Sequence, residues 1–550
     1  MPVIFYDLET FGLSPRGDRI AEFAGILTDD RLDLLEQPYE LRALPPPDYL
    51  ASPGACLTTG ITPQAAMQTG LPEPDFARRV YRWFTAAPET VILGYNNAAF
   101  DDEFIRHLFY RTFLDPYEWQ YLQGNRRMDM LTLMPGLFDF HRDRLVWPRT
   151  ETGEPDFRLE AIAAANDALG GTSHEALADT FALRNVTRLI MERIPEVWDA
   201  VAGFFDRKAI EGRLWTAYRS GPCAGTRSVA SGQRLSNPAS PAHPERPGHD
   251  EPPAQPARAA HPDPPPSSAP SGFPTGSDSF GGLVVFASPR IRTVDRASSI
   301  FLVIGREDRG GGQWWLWNLD RCPEALLAEE PEHLASMWYS PDRPEVSRAL
   351  QRINPRRFPF VIPAGARQRA VLERYGLTEE TVDGNLRRAV AGGIHSWASR
   401  FLTAMTSTAE RAPEALDVDG RLYEGFPPDR DRAALRHLQD ATTTGIADQL
   451  GAIEFSDPRY RELVNRFFGR YVPQRMTSEQ RRLFREDAIS RIDIDGFDRE
   501  WHEAREAMRT GTLTSGLPAQ RRRRVIDELK EHRNGVVRRY GLEERYPPLL

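Results

Sequence analysis

Residues 3–10 read Val-Ile-Phe-Tyr-Asp-Leu-Glu-Thr, so a hydrophobic run typical of a buried strand is followed directly by two acids. Side chains alternate across a strand, and Asp7 and Glu9 therefore point to the same side, about 7 Å apart along it. Two carboxylates on one buried face repel each other and lose hydration, a cost that a divalent cation between them removes. The pattern predicts a metal site at the end of the first strand.

Two later stretches supply further ligands. A second strand-like run, Thr90–Gly94, continues through Tyr-Asn-Asn at 95–97 towards Asp101. Further on, a helix opens with His174 just ahead of Asp179. Phosphodiester hydrolysis by two metal ions needs this kind of set, in which carboxylates hold the ions and a base activates water. The predicted catalytic set is Asp7, Glu9, Asp101, His174 and Asp179.

Two Mg²⁺ ions about 3.5–4 Å apart can stabilise both the attacking and the leaving oxygen. In that arrangement Asp7 bridges both ions, Glu9 and Asp179 bind the first, and Asp101 holds the second through water. Mn²⁺ is the expected substitute. An unperturbed pKa near 6.5 suits His174 to act as general base towards the attacking water.

Each piece also has a plainer interpretation. The Asp-x-Glu pair could be a solvated strand end, and Asp101, with Asp102 as its competitor, could favour a helix N-terminus through the dipole. His174 could merely flank a helix, and Asp179 could be an exposed helical acid. The order of all five residues favours the metal site over these separate explanations.

The composition is that of an ordinary soluble protein, with 40% hydrophobic and 27% charged residues and a net charge of −9. The acidity does not exclude nucleic acid as a ligand, because a groove needs only local basic character. Three widely spaced cysteines favour a reducing compartment and argue against a disulfide framework. Neither a signal peptide nor a run of ~20 apolar residues is evident. We expect a cytoplasmic protein.

The chain of 550 residues is too long for one hydrophobic core. Mixed strands and helices over residues 1–202 predict an α/β domain, including strands at Val3–Tyr6 and Arg19–Thr28. Residues 220–282 are rich in Pro and Ser and predict a disordered linker or insertion. Short apolar runs over 283–365 predict a small β-rich domain. Residues 366–550 have a helical, arginine-rich pattern.

The order Asp-x-Glu, Asp, His-x₄-Asp resembles the DEDDh division of 3′–5′ exonucleases, which have a ribonuclease-H-like fold. Longer segments are similar to the bacterial exodeoxyribonuclease I family in particular. These segments are residues 7–12 (Asp-Leu-Glu-Thr-Phe-Gly), 57–64 (Leu-Thr-Thr-Gly-Ile-Thr-Pro-Gln), 94–97 (Gly-Tyr-Asn-Asn), 100–103 (Phe-Asp-Asp-Glu), 109–111 (Phe-Tyr-Arg), 115–117 (Asp-Pro-Tyr), 157–160 (Phe-Arg-Leu-Glu), 422–426 (Leu-Tyr-Glu-Gly-Phe) and 431–434 (Asp-Arg-Ala-Ala).

The resemblance implies three parts that close a C-shaped channel around single-stranded DNA: a ribonuclease-H-like exonuclease domain, an SH3-like domain and a helical C-terminal domain. One basic DNA contact of the family falls on Pro135 here. The loop at Thr59 and Gly60 would receive the 3′-terminal nucleotide, where a backbone amide would bind the 3′-hydroxyl. The DNA contacts that the resemblance implies fall on Glu9, Thr59, Gly60, Arg106, Tyr117, Tyr121 and Arg158.

Other aromatic and basic residues have more than one interpretation. Phe104 and Phe109 are expected in the core, and the tryptophans at 314, 315 and 317 are expected to fill a small β core rather than stack bases. The family docks the acidic, hydrophobic C-terminal tail of single-stranded-DNA-binding protein, which needs an arginine-rimmed apolar pocket. Candidates for the pocket or the channel are Arg432, Arg466, Arg470 and Arg475.

The sequence thus predicts a Mg²⁺-dependent 3′–5′ exonuclease that degrades single-stranded DNA to 5′-mononucleotides in DNA repair or recombination. A monomer that closes its own channel needs no partner subunit, and no membrane is expected to be involved. The resemblance also implies a bacterial protein that is associated with the nucleoid when it acts. One alternative is a DEDDh enzyme that acts on RNA or as a polymerase proofreader. Another is a non-catalytic single-strand-binding scaffold on an inactive nuclease fold.

Overall fold

The computed structural model describes residues 1–171, 175–224, 282–307, 312–365, 371–408, 417–444, 455–513 and 515–549. Most of the predicted linker at 220–282 lies outside these residues, and so does His174. No helix within the described ranges has the length and apolar character needed to cross a membrane.

The N-terminal part is built on a six-stranded mixed sheet with the order β4-β3-β2-β1-β5-β6. Strands β1, β2 and β3 pair antiparallel, whereas β5 pairs parallel with both β1 and β6. This is the predicted ribonuclease-H-like α/β fold. The strands are β1 (Val3–Thr10), β2 (Ile20–Thr28), β3 (Tyr39–Leu44), β4 (Leu71–Pro72), β5 (Val91–Gly94) and β6 (Arg126–Asp129).

Strand β1 is longer than the predicted Val3–Tyr6, because it pairs with β2 as far as Thr10. Asp7 and Glu9 therefore lie within a central strand and not beyond its end. One β1 face, with Val3 and Phe5, joins a large hydrophobic cluster, and the opposite face, with Tyr6, joins a second one. By alternation, the two acids extend the Val3–Phe5 face.

Helices cover both faces of this sheet. Helices α3 and α4 pack on the Tyr6 face through residues such as Phe76 and Phe104, and Phe109 is buried there as predicted. Helix α7 crosses β1 and β2 on the other face. The helices of this part are α1 (Pro53–Thr59), α2 (Pro63–Thr69), α3 (Glu73–Phe84), α4 (Asp101–Arg111), α5 (Met130–Phe140), α6 (Leu159–Ala165), α7 (Ala176–Arg193), α8 (Pro195–Asp199) and α9 (Arg207–Ser220).

The predicted β-rich part is a five-stranded antiparallel sheet with the order β10-β9-β8-β7-β11. The tryptophans at 314, 315 and 317 are fully buried in its core, so they are not available for stacking on bases. The strands are β7 (Leu283–Ala287), β8 (Ser298–Arg306), β9 (Trp314–Asn318), β10 (Leu350–Ile353) and β11 (Phe360–Pro363).

Helices α5 and α9 connect the two sheets. Gly136 of α5 lies so close to Phe360 of β11 that an added Cβ would be 2.3 Å from the ring. Arg213 of α9 donates a hydrogen bond to the Val361 carbonyl oxygen at 3.0 Å. Residues of both sheets belong to one continuous hydrophobic cluster, in agreement with these contacts. Along the chain, two short helices, α10 (Glu324–Leu327) and α11 (Pro331–Ser336), lie between β9 and β10.

The C-terminal part is helical, as predicted. Its first two helices pack against the second sheet, where Trp397 contacts Trp317 and Phe401 contacts Trp315. The later helices form clusters with the exonuclease part instead. They are α12 (Glu379–Ala391), α13 (Ile394–Thr408), α14 (Asp429–Thr444), α15 (Pro458–Tyr471), α16 (Ser478–Arg491), α17 (Ile494–Thr510) and α18 (Ala519–Tyr540).

A buried ion-pair network fastens the C-terminal helices to the first sheet. Asp419 pairs with Arg19 at 2.6 Å and with Arg470 at 2.9 Å, and Arg466 lies 3.5 Å away. Arg470 also pairs with Asp48 at 2.9 Å. Burial alone would raise the pKa of Asp419, but the surrounding arginines outweigh it and hold that pKa well below its usual value. Arg466 and Arg470 thus serve this interface.

We predict that Asp419→Asn destabilises the protein by about 3–5 kcal/mol, because it leaves buried guanidinium groups without their counter-charge. Urea unfolding followed by circular dichroism measures the change. Asp429→Asn is the matched control, since the Asp429 side chain is 97% exposed and pairs only with Arg432 in the described structure. Equal unfolding midpoints for the two variants would contradict the structural role of the network.

Candidate active site

Three of the predicted ligands meet where β1 and α7 cross. Ligand oxygens of Asp7, Glu9 and Asp179 all lie within 4.8 Å of one another. The two β1 acids share a face through strand alternation, and α7 brings Asp179 against that face from the next layer. Gly170 permits the close approach of the preceding loop, since a Cβ there would be 2.2 Å from the Ala178 carbonyl oxygen.

The loop between β5 and α4 places the fourth acid. Gly94 leaves room for the Asn97 side chain, which would be 2.5 Å from a Cβ at that position. Asn96 adopts a left-handed conformation with φ of 64°, which asparagine tolerates better than most residues. Asp129 accepts hydrogen bonds from the N–H groups of Asn96 and Ala98, at 2.8 and 3.2 Å. These contacts explain the Gly-Tyr-Asn-Asn sequence.

Asp101 is the ligand candidate and Asp102 is the anchor. Asp102 is fully buried and accepts hydrogen bonds from the Tyr6 hydroxyl at 2.5 Å and from Asn97 and Arg127. The start of α4 is thereby tied to β1. Asp101 is the first residue of α4, and its charge is close enough to Asp7 to raise the pKa of that carboxyl. These contacts occupy the Asp102 carboxylate, and Asp101 stays the predicted ligand.

The carboxyl groups have strongly raised pKa values without a cation. Burial, followed by repulsion from Asp101, Glu9 and Asp179, raises the pKa of Asp7 well above its ordinary value. Burial and repulsion from Asp179 raise the pKa of Glu9 to about 8. Burial is also the main cause that raises the pKa of Asp101 to about 7. The site therefore carries an electrostatic cost that positive charge would relieve.

The donor set fits hard divalent cations. Four carboxylates supply only oxygen ligands, which Mg²⁺ and Mn²⁺ prefer and which suit soft metals less well. The three clustered acids are half-buried, so water molecules can complete a coordination shell. Residues Asp7, Glu9 and Asp179 would hold an ion directly. Asp101 is not among the acids whose oxygens lie within 4.8 Å of one another, although its charge acts on Asp7.

The Thr59–Gly60 loop follows α1, and Gly60 ends that helix with φ of 73°. The backbone N–H groups of this loop already have hydrogen-bond acceptors. The Gly60 N–H donates to the Cys56 carbonyl oxygen, and the Ile61 N–H donates to the Thr59 hydroxyl oxygen. A 3′-hydroxyl would have to exchange one of these bonds. The Arg521 guanidinium lies flat against Gly60, with its Nε, Cζ and Nη2 atoms 2.9–3.0 Å from an added Cβ.

Two of the predicted DNA contacts lie together on the far side of α4. Arg106 is buried and pairs with Glu103 at 2.7 Å, and its guanidinium is 6.0 Å from the Tyr117 ring. Tyr423 from the C-terminal part also donates to Glu103, at 2.5 Å. Arg106 is therefore held by neighbouring residues, and Tyr117 offers the more accessible ring.

The remaining predicted contacts are exposed. The Tyr121 ring is 62% exposed, and the Arg158 side chain is 79% exposed while it pairs with Asp156 at 2.6 Å. Pro135 is buried inside α5 and supplies no basic contact. Sequence reasoning missed Arg127, Asp129 and Arg521. Arg127 and Asp129 could have been identified as polar residues on β6, a strand of the same sheet as β1. No local sequence signal connects Arg521 with Gly60.

Comparison with known families agrees with this geometry. Residues 4–187 match the family described as Exonuclease, and residues 416–534 match the Exonuclease I C-terminal domain. The chain is thus similar to an exonuclease domain in its N-terminal part and to the C-terminal domain of exonuclease I further on. The predicted resemblance to bacterial exodeoxyribonuclease I is confirmed.

Curated relatives match a little over a third of the chain. Exodeoxyribonuclease I of Escherichia coli (strain K12) is 42% identical over 196 residues, which is 36% of this chain and 41% of that protein. Exodeoxyribonuclease I of Haemophilus influenzae is 38% identical over 206 residues, covering 38% of this chain and 43% of that protein. The aligned part therefore spans about two fifths of the length of these relatives.

Solved structures match over nearly the whole chain and show the fold. E. coli exonuclease I in complex with a dA16 oligonucleotide has a TM-score of 0.76 at 23% identity, over 98% of this chain and 100% of that one. The zinc-ion-bound E. coli ExoI–ssDNA complex has a TM-score of 0.77, over 98% and 99%, at 23% identity. A structure described as SSB/Exonuclease I in complex with an inhibitor has a TM-score of 0.73 at 22% identity, over 98% and 99%.

We predict that the metal-free protein loses stability as the pH rises from 5 to 8. The pKa of Glu9 is about 8 in the folded chain and near 4.5 when exposed, so folding binds a proton in this range. The contribution of the protonated Glu9 carboxyl to the free energy of unfolding is fully present below pH 4.5 and is lost as the pH rises through 8. The free energy of unfolding falls by at most roughly 1.4 kcal/mol per pH unit in this range. Urea unfolding in EDTA at several pH values measures the slope.

Glu9→Gln should flatten that slope, and saturating Mg²⁺ should flatten it in the unaltered chain. The exposed Glu192 provides the control substitution, Glu192→Gln, which should leave the slope unchanged. Parallel curves for the unaltered chain and Glu9→Gln would show that the acid cluster is not under electrostatic strain.

Proposed function

We propose that this chain is a metal-dependent 3′–5′ exonuclease that degrades single-stranded DNA to 5′-mononucleotides, with Mg²⁺ as its ion and DNA repair or recombination as its setting. The observation that supports this most is the convergence of Asp7, Glu9 and Asp179 within 4.8 Å, with Asp101 beside them. The named activity of the relatives and the two matched domains agree with it.

The acids have separate tasks in this proposal. When bound, divalent ions supply Lewis-acid stabilisation of the phosphate oxygens and an activated water. Asp7 and Glu9 hold their positions because β1 is a central, hydrogen-bonded strand, and Asp179 is fixed by α7. Asp101 is oriented by its neighbour Asp102. Preorganised ligands of this kind need no rearrangement during the reaction.

His174 is the proposed general base. It lies outside the described residues, but the helix that contains Asp179 begins at Ala176, two residues after it. A histidine at this point would take the proton from the attacking water, and its ordinary pKa near 6.5 suits proton transfer at neutral pH.

In this proposal, DNA reaches the site along a path lined by residues of both the exonuclease part and the C-terminal part. Tyr117, Tyr121 and Arg158 offer exposed or half-exposed contacts, while Arg521 adds a cation beside Gly60. Arginines neutralise phosphates and aromatic rings stack on bases without reading sequence. The chain also docks the acidic C-terminal tail of single-stranded-DNA-binding protein in this proposal. Buried Arg466 and Arg470 are committed to ion pairs, so other arginines would contact that tail.

Asp7→Asn is expected to reduce hydrolysis of single-stranded DNA by roughly 10²–10⁴-fold, since the metal contribution amounts to several kcal/mol. Strands labelled at the 5′ end should shorten progressively, and strands labelled at the 3′ end should release the label at once. Glu192→Gln serves as a control with unchanged activity. If RNA of the same sequence were cleaved faster than DNA, the RNA-processing alternative would be favoured. If the unaltered protein and Asp7→Asn hydrolysed DNA equally slowly, a non-catalytic scaffold would be favoured.

His174→Ala should lower kcat by about 10²–10⁴-fold, the usual contribution of a general base. Mg²⁺ should still raise the melting temperature of this variant, because its carboxylates are intact. Asp7→Asn should lose most of that shift. If His174→Ala kept full kcat between pH 6 and 8, the base would be another group.

A further inference from the structure

A row of charged side chains crosses three strands beside the carboxylate cluster. Glu9 of β1 is directly opposite Glu22 of β2, and Glu22 is in turn opposite Arg42 of β3. Side chains that are opposite each other on neighbouring strands point to the same face of a sheet, with Cβ atoms about 5 Å apart. Glu22 and Arg42 therefore lie on the sheet face that carries Asp7 and Glu9.

The hydrophobic clusters agree with this placement. Ile26, which shares a face of β2 with Glu22, belongs to the cluster on the side of the acids, and Phe23 belongs to the cluster on the opposite side. On β3, Leu41 also packs on the opposite side, so its neighbour Arg42 points towards the side of the acids. The hydrophobic packing thus fixes the direction of the whole row.

Glu22 and Arg42 form an ion pair across β2 and β3. The Arg42 Nε donates to a Glu22 carboxylate oxygen at 2.7 Å. Glu22 is only 7% exposed, whereas the Arg42 side chain is 43% exposed. Because β2 lies between β1 and β3, the negative end of this ion pair is next to Glu9 and its positive end is nearer to solvent.

The charge of Glu22 reaches the carboxylate cluster. Burial is the main cause that raises the pKa of Glu9 to about 8, and repulsion from Asp179 and then from Glu22 adds to it. The Glu22 oxygens are not among those that converge within 4.8 Å. Glu22 therefore acts on the cluster through its charge and not as one of the converging ligands.

The sheet is irregular at the same point. The register between β1 and β2 shifts after Glu9, so that Thr10 is opposite Ile20. Bulges of this kind turn side chains away from the regular pleat and often lie next to active sites. Two acids directly opposite each other also destabilise a strand pair. Both features are costs for a sheet, and a cation beside Glu9 would offset the second.

We propose that Glu22 is a positioning residue that raises the affinity of the carboxylate cluster for a divalent cation without ligating it. Arg42 fixes the direction of the Glu22 carboxylate and keeps it out of the coordination shell. A doubly charged ion is attracted by a carboxylate one strand away, and more strongly where little water lies between them. The inference rests on the proposed function, since it concerns the ion of that site.

The test measures metal binding without DNA. Mn²⁺ alone is the probe, and electron paramagnetic resonance of free Mn²⁺ gives its Kd at constant pH. We expect Glu22→Gln to raise this Kd about 5- to 30-fold, the effect of one charge roughly 8 Å from the ion in surroundings between water and protein. The Mg²⁺ concentration that gives half-maximal hydrolysis of single-stranded DNA should rise by a similar factor.

Further substitutions separate charge from shape. Glu22→Gln keeps the shape and removes the charge, whereas Glu22→Asp keeps the charge and shortens the side chain. We therefore expect Glu22→Asp to bind Mn²⁺ within about threefold of the unaltered chain. Arg42→Gln should bind Mn²⁺ at least as tightly as the unaltered chain, because it removes a positive charge. Glu192→Gln changes an exposed acid near the C-terminal end of α7 and is the control with an unchanged Kd.

Equal Kd values for Glu22→Gln and the unaltered chain would overturn the inference. Weaker binding by Glu22→Asp than by Glu22→Gln would also overturn it, since that order indicates a packing role. Melting temperatures in EDTA show whether the variants fold. Should Glu22→Gln fail to fold, Arg42→Gln still decides, because weaker Mn²⁺ binding by that variant contradicts the charge effect.

The same titrations separate this inference from the proposed activity. Mn²⁺ binding that is lost in Asp7→Asn but unchanged in Glu22→Gln rejects only the role of Glu22. If the unaltered chain does not bind Mn²⁺, the metal-dependent activity is rejected together with it.

Discussion

Repulsion among buried carboxylates is the constraint on which the active site depends. Asp7 and Glu9 share one face of a central strand, and Asp179 is pressed against them by α7. The raised pKa values of Asp7 and Glu9 reflect the electrostatic cost of that arrangement without a cation. A fold can keep such a cluster only if surrounding contacts fix its members, and the hydrophobic clusters on both faces of the sheet do so.

The same principle operates at the interface between the exonuclease part and the C-terminal helices. There, arginines neutralise buried aspartates, and Asp419 retains its charge because Arg19, Arg466 and Arg470 surround it. At the active site, the charges that act on Asp7 and Glu9 are those of other carboxylates, so negative charge accumulates there. The contrast explains why one group of buried acids stabilises the fold while the other is suited to bind cations.

Much of the candidate site could be predicted from the sequence. Strand alternation alone places Asp7 and Glu9 on one face, and the spacing of the later acids follows from where strands and helices begin. Asp101 was predicted over Asp102 from the order of the motif. The contacts of Asp102 with the Tyr6 hydroxyl and Arg127 could not be predicted, because these residues are distant in sequence. The length of β1 was also underestimated, since pairing with β2 outweighs the local cost of placing acids in a strand.

The sequence by itself determined that acids lie on one face of the first strand and that sheet-forming segments precede a helical part, because these depend on local periodicity. It also predicted the metal-dependent chemistry proposed for the site, through motif spacing. Tertiary structure decided which side chains are available. Arg466 and Arg470 look like surface cations in the sequence but are buried in ion pairs, whereas Phe426 looks like a core residue but is exposed beside Tyr117. Burial depends on contacts between distant segments, and no local pattern encodes them.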